Sequence, residues 1–254
     1  MDEPVDYGNW VPKNLLYSAI VLIIILIIFS LFPLLLILRI ILWVLSVVLL
    51  FACCYLFLLY YHFTVNNKEL QYKIWDFVVQ KLPWNGKGKA LDVGTGAGAL
   101  AIRVAKRYPH SKIYGIDYWG KIWNYSKRMC EKNAEIEGVS SRTIFQKASA
   151  SKLPFDDGEF DAIVSNFVFH EVRDTKDKTK AIKEAFRVLK KGGSFALQDI
   201  FKKKRKFGTI ETLISNFKKW GVEEVNYESI IDEIEFPKIL KAEFSSAILF
   251  YGIK

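Results

Sequence analysis

The chemistry in this 254-residue chain concentrates first in the run Ala90-Leu91-Asp92-Val93-Gly94-Thr95-Gly96-Ala97-Gly98-Ala99-Leu100. A short apolar strand leads directly into three alternating glycines, and an apolar-periodic segment follows. Glycines allow a sharp turn and let backbone approach a ligand with no side chain in the way. A glycine-rich turn alone also fits dinucleotide-binding folds. Asp92, two residues before Gly94, changes that reading. A carboxylate there suits a ligand with an ammonium group and is a poor neighbour for the pyrophosphate of a nicotinamide cofactor. Asp117 closes the next strand, where a carboxylate can accept hydrogen bonds from both ribose hydroxyls of an adenosine. An aspartate at a strand end is often only a helix cap. Its pairing with the glycine run makes it a ligand candidate.

Two further groups could act on a substrate. His170, at the carboxyl end of the fourth strand candidate, could deprotonate a hydroxyl as a general base. Equally, it could be a structural histidine bonded to a neighbouring loop, and Glu171 has the same two readings. The run Lys202, Lys203, Lys204, Arg205, Lys206, between Phe201 and Phe207, leaves the fifth strand on the ligand-binding edge of a parallel sheet. A basic run is usually a solvated loop; at that edge, bracketed by phenylalanines, it would suit anionic lipid. The three cysteines form no disulfide framework and no metal-ligand spacing with histidine, which fits a reducing, cytosol-facing domain.

Short apolar strands alternating with helices must position these groups, which predicts an α/β fold with a parallel sheet covered on both faces. Strands are expected at 90–93, 113–116, 143–146, 162–165, 194–198, 224–229 and 247–251. Helices are expected at about 100–106, 119–137, 178–189 and 209–220. The result is a Rossmann-like, seven-stranded, mostly parallel sheet closed by an antiparallel hairpin. Residues 64–88 read as an amphipathic helical connector, and the domain proper as 89–254.

With the segments KLPFDDGEFDAIVSNFVFHEV and EAFRVLKKGGSFALQD added, residues 68–254 resemble the class I S-adenosylmethionine-dependent methyltransferases of small molecules and lipids. The resemblance implies S-adenosylmethionine as cofactor. It places Asp92, Gly94, Thr95, Gly96 and Gly98 beside the methionine part, Asp117 at the ribose, and Tyr118 on one adenine face. Ser149 and Ala150 would meet the adenine edge, and Asn166 and Phe167 would line the pocket beside the sulfonium. Ser149 departs from the family, which commonly has Asp there. A hydroxyl accepts without charge, so the contact would be weaker.

Residues 15–63 are a different polymer, in which Arg39 and His62 are the only ionisable groups of note. About 20 residues cross a bilayer core, so this run predicts a transmembrane hairpin with spans at about 15–37 and 40–61. Pro33 and Arg39 would mark the turn. The lysines that follow, Lys68 to Lys89, place both ends in the cytoplasm. Residues 1–63 carry a net −1 of the chain's +9, which leaves +10 on the remainder. Attraction to anionic membrane lipids is expected from that charge, and no nucleic acid. The reading is a multi-pass membrane-anchored methyltransferase, its catalytic domain facing the cytoplasm, acting on a lipid or other membrane-associated small molecule. Two alternatives stay open: a soluble acceptor with the hairpin as a tether, and a non-catalytic binding module on the same fold.

Overall fold

The structure is a computed structural model that describes residues 4–33, 35–64, 69–120 and 123–254. It divides into two compact units: Asn9–Gln71, and the described residues up to Gly8 together with Tyr72–Lys254.

In the first unit, helices α1 (Lys13–Ser30) and α2 (Leu36–His62) pack on each other across a short turn. Both are long and apolar enough to cross a membrane, and only 11% of each 18-residue apolar window is buried. A core helix of a soluble protein would be mostly buried; these present apolar side chains outward over nearly their whole length. Ser30 and Ser46 return their hydroxyls to the carbonyls of Ile27 and Leu42, so neither needs an outside partner. α1 ends at Ser30 and α2 starts at Leu36, so Arg39 does not end a helix but lies inside the first turn of α2 with its N–H on the Leu35 carbonyl. Arginine is a good helix former whose long side chain can carry its charge away from an apolar surface, so it need not end a helix. Outside the helices, Asn9 Nδ2 donates to the Tyr60 carbonyl and Trp10 packs on Phe63 at 5.2 Å.

The second unit begins its sheet after α3 (Glu69–Lys81). The strands are β1 (Gly88–Val93), β2 (Ser111–Asp117), β3 (Thr143–Lys147), β4 (Phe160–Asn166), β5 (Leu189–Asp199), β6 (Glu224–Ser229) and β7 (Ile248–Ile253). They form one seven-stranded sheet in the order β3-β2-β1-β4-β5-β7-β6, parallel except for β7. From β1 the chain winds outward through β2 and β3, then returns to place β4 on the other side of β1. This reversal opens a crevice at the carboxyl ends of β1 and β4, where ligands bind in open α/β sheets.

Strand alternation sorts the side chains. Leu91 and Val93 join the core under α6 (Thr179–Val188) and α8 (Ile210–Lys219). Asp92 points instead toward α4 (Ala99–Arg107). The helix expected at 119–137 is shorter. Ser126 caps α5 (Lys127–Ile136) by accepting from the Met129 N–H; residues 119, 120 and 123–125 are not helical, and 121–122 lie outside the described residues. Three one-turn helices were not anticipated: α7 (Lys204–Phe207) within the basic run, and α9 (Ile230–Glu233) and α10 (Lys241–Phe244) between the last two strands.

Phe217 is fully buried between Phe186, Phe250 and Trp220, at ring separations of 5.0, 5.1 and 5.9 Å. Phe217→Ala should cost about 3–5 kcal/mol in chemical unfolding of the detergent-solubilised chain, through lost burial and the cavity left behind. A loss below about 1 kcal/mol would mean that this cluster does not hold the sheet's α6–α8 face.

Candidate functional site

Asp92 is fully buried at the last turn of β1. Its Oδ2 accepts from the Thr95 hydroxyl at 2.7 Å and from the Ala101 N–H at 3.0 Å, an amide in the first turn of α4 with no helical partner. Its Oδ1 is buried and has no hydrogen-bond partner among the described residues. Burial pushes this carboxyl up to about 7, against the lowering effect of Thr95 and Ala101, and nearby Asp117 adds to the rise. The site therefore holds a carboxylate oxygen that lacks a donor.

The loop turns over it through Gly94, at φ +76°. A Cβ there would lie 2.2 Å from a Val168 methyl, so the turn admits only glycine. The Gly94 and Thr95 N–H groups donate to the Ile116 carbonyl, both at 2.8 Å, which ties the loop to the end of β2. Asp117 completes the tie: one oxygen accepts from Gly96 N–H at 2.9 Å and the other from Trp119 N–H at 2.7 Å. Burial raises the Asp117 carboxyl, and the backbone donors at Trp119, Gly96 and Tyr118 oppose the rise. Gly98 starts α4 in a left-handed conformation.

Beside this cradle Tyr118 is 66% exposed, an open aromatic face with Lys147 Nζ 5.2 Å from its ring centre. Trp119, at φ +45°, sends its indole N–H to the Gly96 carbonyl at 2.8 Å. Ala148 N–H bonds the Asp117 carbonyl, which brings Ser149 and the buried Ala150 to the same edge. The Ser149 hydroxyl and that of Ser151 both donate to the Asp174 carboxylate, the latter at 2.6 Å, which brings a charge beside Ser149. These bonds keep the Asp174 carboxyl below the usual range.

Across the crevice, Asn166 Oδ1 accepts from Gln198 Nε2 at 2.9 Å. Phe167 takes the left-handed φ of +56°, rare for an aromatic residue and held by its N–H bond to the Gln198 carbonyl. Its ring meets Phe244 edge-on at 5.7 Å, and Phe244 packs on Phe236 at 4.8 Å. The crevice thus has a polar wall at the glycine loop and an aromatic wall at Phe167.

His170 is held between two carboxylates. Its Nδ1 lies 2.6 Å from Asp199 Oδ1 and its Nε2 3.3 Å from Glu171. Its N–H also donates to Asp199, which is fully buried at the end of β5. Desolvation alone would lower the imidazolium, but the hydrogen bonds and charges of Asp199 and Glu171 outweigh it and push His170 up to about 9. With both ring nitrogens facing carboxylates, it holds a proton and has no lone pair to accept one near neutrality. Lys206 Nζ caps the His170 carbonyl at 3.1 Å. Phe201 and Phe207, which bracket the basic run, are 0% and 2% exposed and belong to the core. All five basic residues, Lys202 to Lys206, are exposed, with Lys202 reaching Ser229 and Lys206 the His170 carbonyl.

The site therefore gathers Asp92, Gly94, Thr95, Gly96, Gly98, Asp117, Tyr118, Ser149 and Ala150 at one edge, with Asn166 and Phe167 facing them. Sequence reading did not single out Trp119, Asp174 or Asp199. The aromatic run after Asp117 was the available signal for Trp119. Asp174 lies in a polar loop with nothing to mark it.

Residues 91–197 match the family described as "Methyltransferase domain". A ubiquinone/menaquinone biosynthesis C-methyltransferase of Geobacter sp. (strain M21) is 36% identical over 122 residues, covering 48% of this chain and 49% of that protein. A demethylmenaquinone methyltransferase of Thermus thermophilus is 36% identical over 118 residues, covering 46% of this chain and 48% of that one. The chain spans about half the length of the curated relatives it matches. Among solved structures, geranyl diphosphate methyltransferase in complex with GPP and sinefungin superimposes with a TM-score of 0.56 at 14% identity, over 73% of this chain and 78% of that one. Residues 91–197 of the second unit are a methyltransferase domain by this match, and the fold and relatives support the class I S-adenosylmethionine-dependent type. S-adenosylmethionine is the cofactor of that class, and the residues present fit it: the donor-less Asp92 oxygen suits an ammonium group, and the glycine turn leaves room for close approach.

The clamp on His170 has a pH consequence. A histidine raised from 6.5 to about 9 contributes stability that is full below pH 6.5 and lost as pH rises through about 9. Unfolding free energy of the intact protein should therefore fall across that window, and His170→Gln should flatten the fall. A wild-type profile flat over the same window would remove the clamp.

Proposed function

We propose that this chain transfers a methyl group from S-adenosylmethionine to a membrane-associated small molecule, with a quinol or another isoprenoid-type lipid as the favoured acceptor class. The observation that carries the reading is the cradle at the sheet reversal: a buried carboxylate oxygen without a donor, a glycine turn over it, and Asp117 tied to both loops. Asp92 with Gly94, Thr95, Gly96 and Gly98 holds the methionine part, and Asp117 the ribose hydroxyls. Tyr118 covers one adenine face. Ser149, with Asp174 behind it, and Ala150 meet the adenine edge. Asn166 and Phe167 face the sulfonium, which when bound supplies an electrophilic methyl group and leaves as a neutral thioether. The protein's part is then to orient the acceptor in line and keep water out, which suits the aromatic wall of Phe167 and Phe244. His170 positions the loop after β4 against β5 and moves no proton.

The acceptor class draws support from relatives named for quinone methylation, including a 2-methoxy-6-polyprenyl-1,4-benzoquinol methylase of Caenorhabditis elegans that is 30% identical over 127 residues. The outward apolar surface of α1 and α2 supports a membrane location. Topology has its own support: Tyr7 packs edge-on to Tyr72 and Trp75, at 6.2 and 5.6 Å. The chain leaves the methyltransferase domain at Gly8 and rejoins it at Tyr72. An insertion with both ends held by one soluble domain crosses a membrane an even number of times, so two spans with both ends on the cytoplasmic face is the reading we favour. The outward charge of Lys202, Lys203, Lys204, Arg205 and Lys206 would add attraction to an anionic leaflet.

Two measurements test this. Calorimetry on the purified chain should show S-adenosylhomocysteine binding that Asp117→Ala weakens by about 1.5–3 kcal/mol, the scale of hydrogen bonds to a charged group; preference for NAD would overturn the cofactor site. Single cysteines at Pro4 and Lys87 should both react with an impermeant reagent from the same side of sealed vesicles. Labelling from opposite sides would exclude the even-crossing hairpin.

A further inference from the structure

Residues 6–8 precede the apolar helices in sequence yet fold onto the methyltransferase domain. Asn133, on α5 and 2% exposed, uses its whole amide at this junction. Its Oδ1 accepts from Asp6 N–H at 3.0 Å, and its Nδ2 donates to the Asp6 carbonyl at 2.7 Å and to the Ala97 carbonyl at 2.9 Å. Ala97 belongs to the glycine loop, so one buried side chain joins the amino-terminal segment to the cradle. Tyr125 makes a second connection. Its ring sits 2.5 Å from where a Cβ on Gly8 would fall and 3.4 Å from where one on Gly96 would fall, and it stacks parallel to Trp123 at 6.1 Å. Gly8 is at φ +69°, and its N–H returns to Asp6 Oδ1 at 2.9 Å, so the turn is built into the segment. Tyr7, 3% exposed, fixes the far side through its hydroxyl on Glu137 at 3.2 Å.

We propose that residues 6–8 are a strap that holds the glycine loop in its cofactor-ready turn through Asn133 and Tyr125, so that strap docking and S-adenosylmethionine binding strengthen each other. The physical reason is satisfaction of buried polar groups. Without the strap, Asn133 would have a buried acceptor and a donor unpaired, and its amide could turn away from Ala97. Tyr125 would also lose the backbone it packs on, leaving Gly96 unsupported from outside. Coupling of this kind is reciprocal by thermodynamic necessity. None of these side chains need touch the reacting atoms; Asn133, Tyr125 and the strap are positioning residues. The inference rests on the cofactor site proposed above.

The test uses the full chain in detergent with two strap variants that leave the domain interior unchanged. Asp6→Pro removes the N–H that Asn133 accepts, and Gly8→Ala drives a methyl into Tyr125. Each should raise the dissociation constant for S-adenosylhomocysteine by about 5- to 50-fold. KM for S-adenosylmethionine should rise with it, while kcat stays near wild type and the ligand-free chain keeps a cooperative melting transition. In the wild type, adding S-adenosylhomocysteine should slow amide hydrogen exchange at residues 6–8. If both variants bind within about twofold of wild type, or exchange at the strap ignores the ligand, the strap inference is wrong. A wild-type chain that binds no S-adenosylhomocysteine would instead overturn the cofactor site itself.

Discussion

Burial of an ionisable carboxyl is costly unless donors surround the charged form, and Asp92 has donors for only one of its oxygens. Most of the domain can be read as an answer to that constraint. The end of β1 lies in the middle of the sheet, flanked by β2 and β4, and cannot be opened to water without disrupting both pairings. The glycine loop must therefore fold directly over the carboxyl, which brings the Thr95 hydroxyl and the free amide of Ala101 onto it. The remaining oxygen is buried and has no donor among the described residues. A fold that keeps a buried acceptor incomplete in the free protein has reserved part of its stability for the ligand that completes it.

From this point the other features follow by connection. Asp117 ties the glycine loop to the segment after β2, Trp119 returns to the loop carbonyl at Gly96, and Asn133 ties the loop to α5 and to residues that lie beyond the apolar helices in sequence. His170 and Asp199 perform the corresponding task on the other side of the reversal, joining the loop after β4 to the end of β5. The crevice is held from both sides by charged or amide side chains bonded to backbone, which fixes loop geometry without requiring regular structure in the loops.

Local patterns made much of this legible. Most of the strands were readable as short apolar runs bounded by turn residues, whereas β6 is a polar edge strand in which only Val225 and Tyr227 alternate with polar residues; the glycine run and both aspartates stood out by type and spacing. Less was visible where a contact depends on distant parts of the chain. His170 read as a candidate base because its two carboxylate partners meet it only in the fold: Asp199 lies 29 residues away in sequence. Ser149 read as an uncharged replacement because Asp174 reaches it from a loop with no pattern of its own. The helix expected from Trp119 begins later because Trp119 and Ser126 obey local bonds, to Gly96 and Met129, that apolar periodicity does not encode. Phe201 and Phe207 looked like a rim to the basic run, but the sheet turns both inward. Arg39 suggested a helix end, whereas proline chemistry at Pro33 decided the break.

The most direct test of the account is the proton linkage of cofactor binding. Asp92 sits at about 7 in the ligand-free protein, and an ammonium beside its open oxygen should favour the charged form. Affinity for S-adenosylhomocysteine, measured by calorimetry from about pH 5.5 to 8, should rise by about one logarithmic unit per pH unit below 7 and level off above it, with about one proton released per ligand at the acid end. Asp92→Asn should bind more weakly and lose the pH dependence. A wild-type affinity that is flat across this range, or an unaltered profile in Asp92→Asn, would contradict the claim that the buried carboxylate at the end of β1 receives the cofactor's ammonium group.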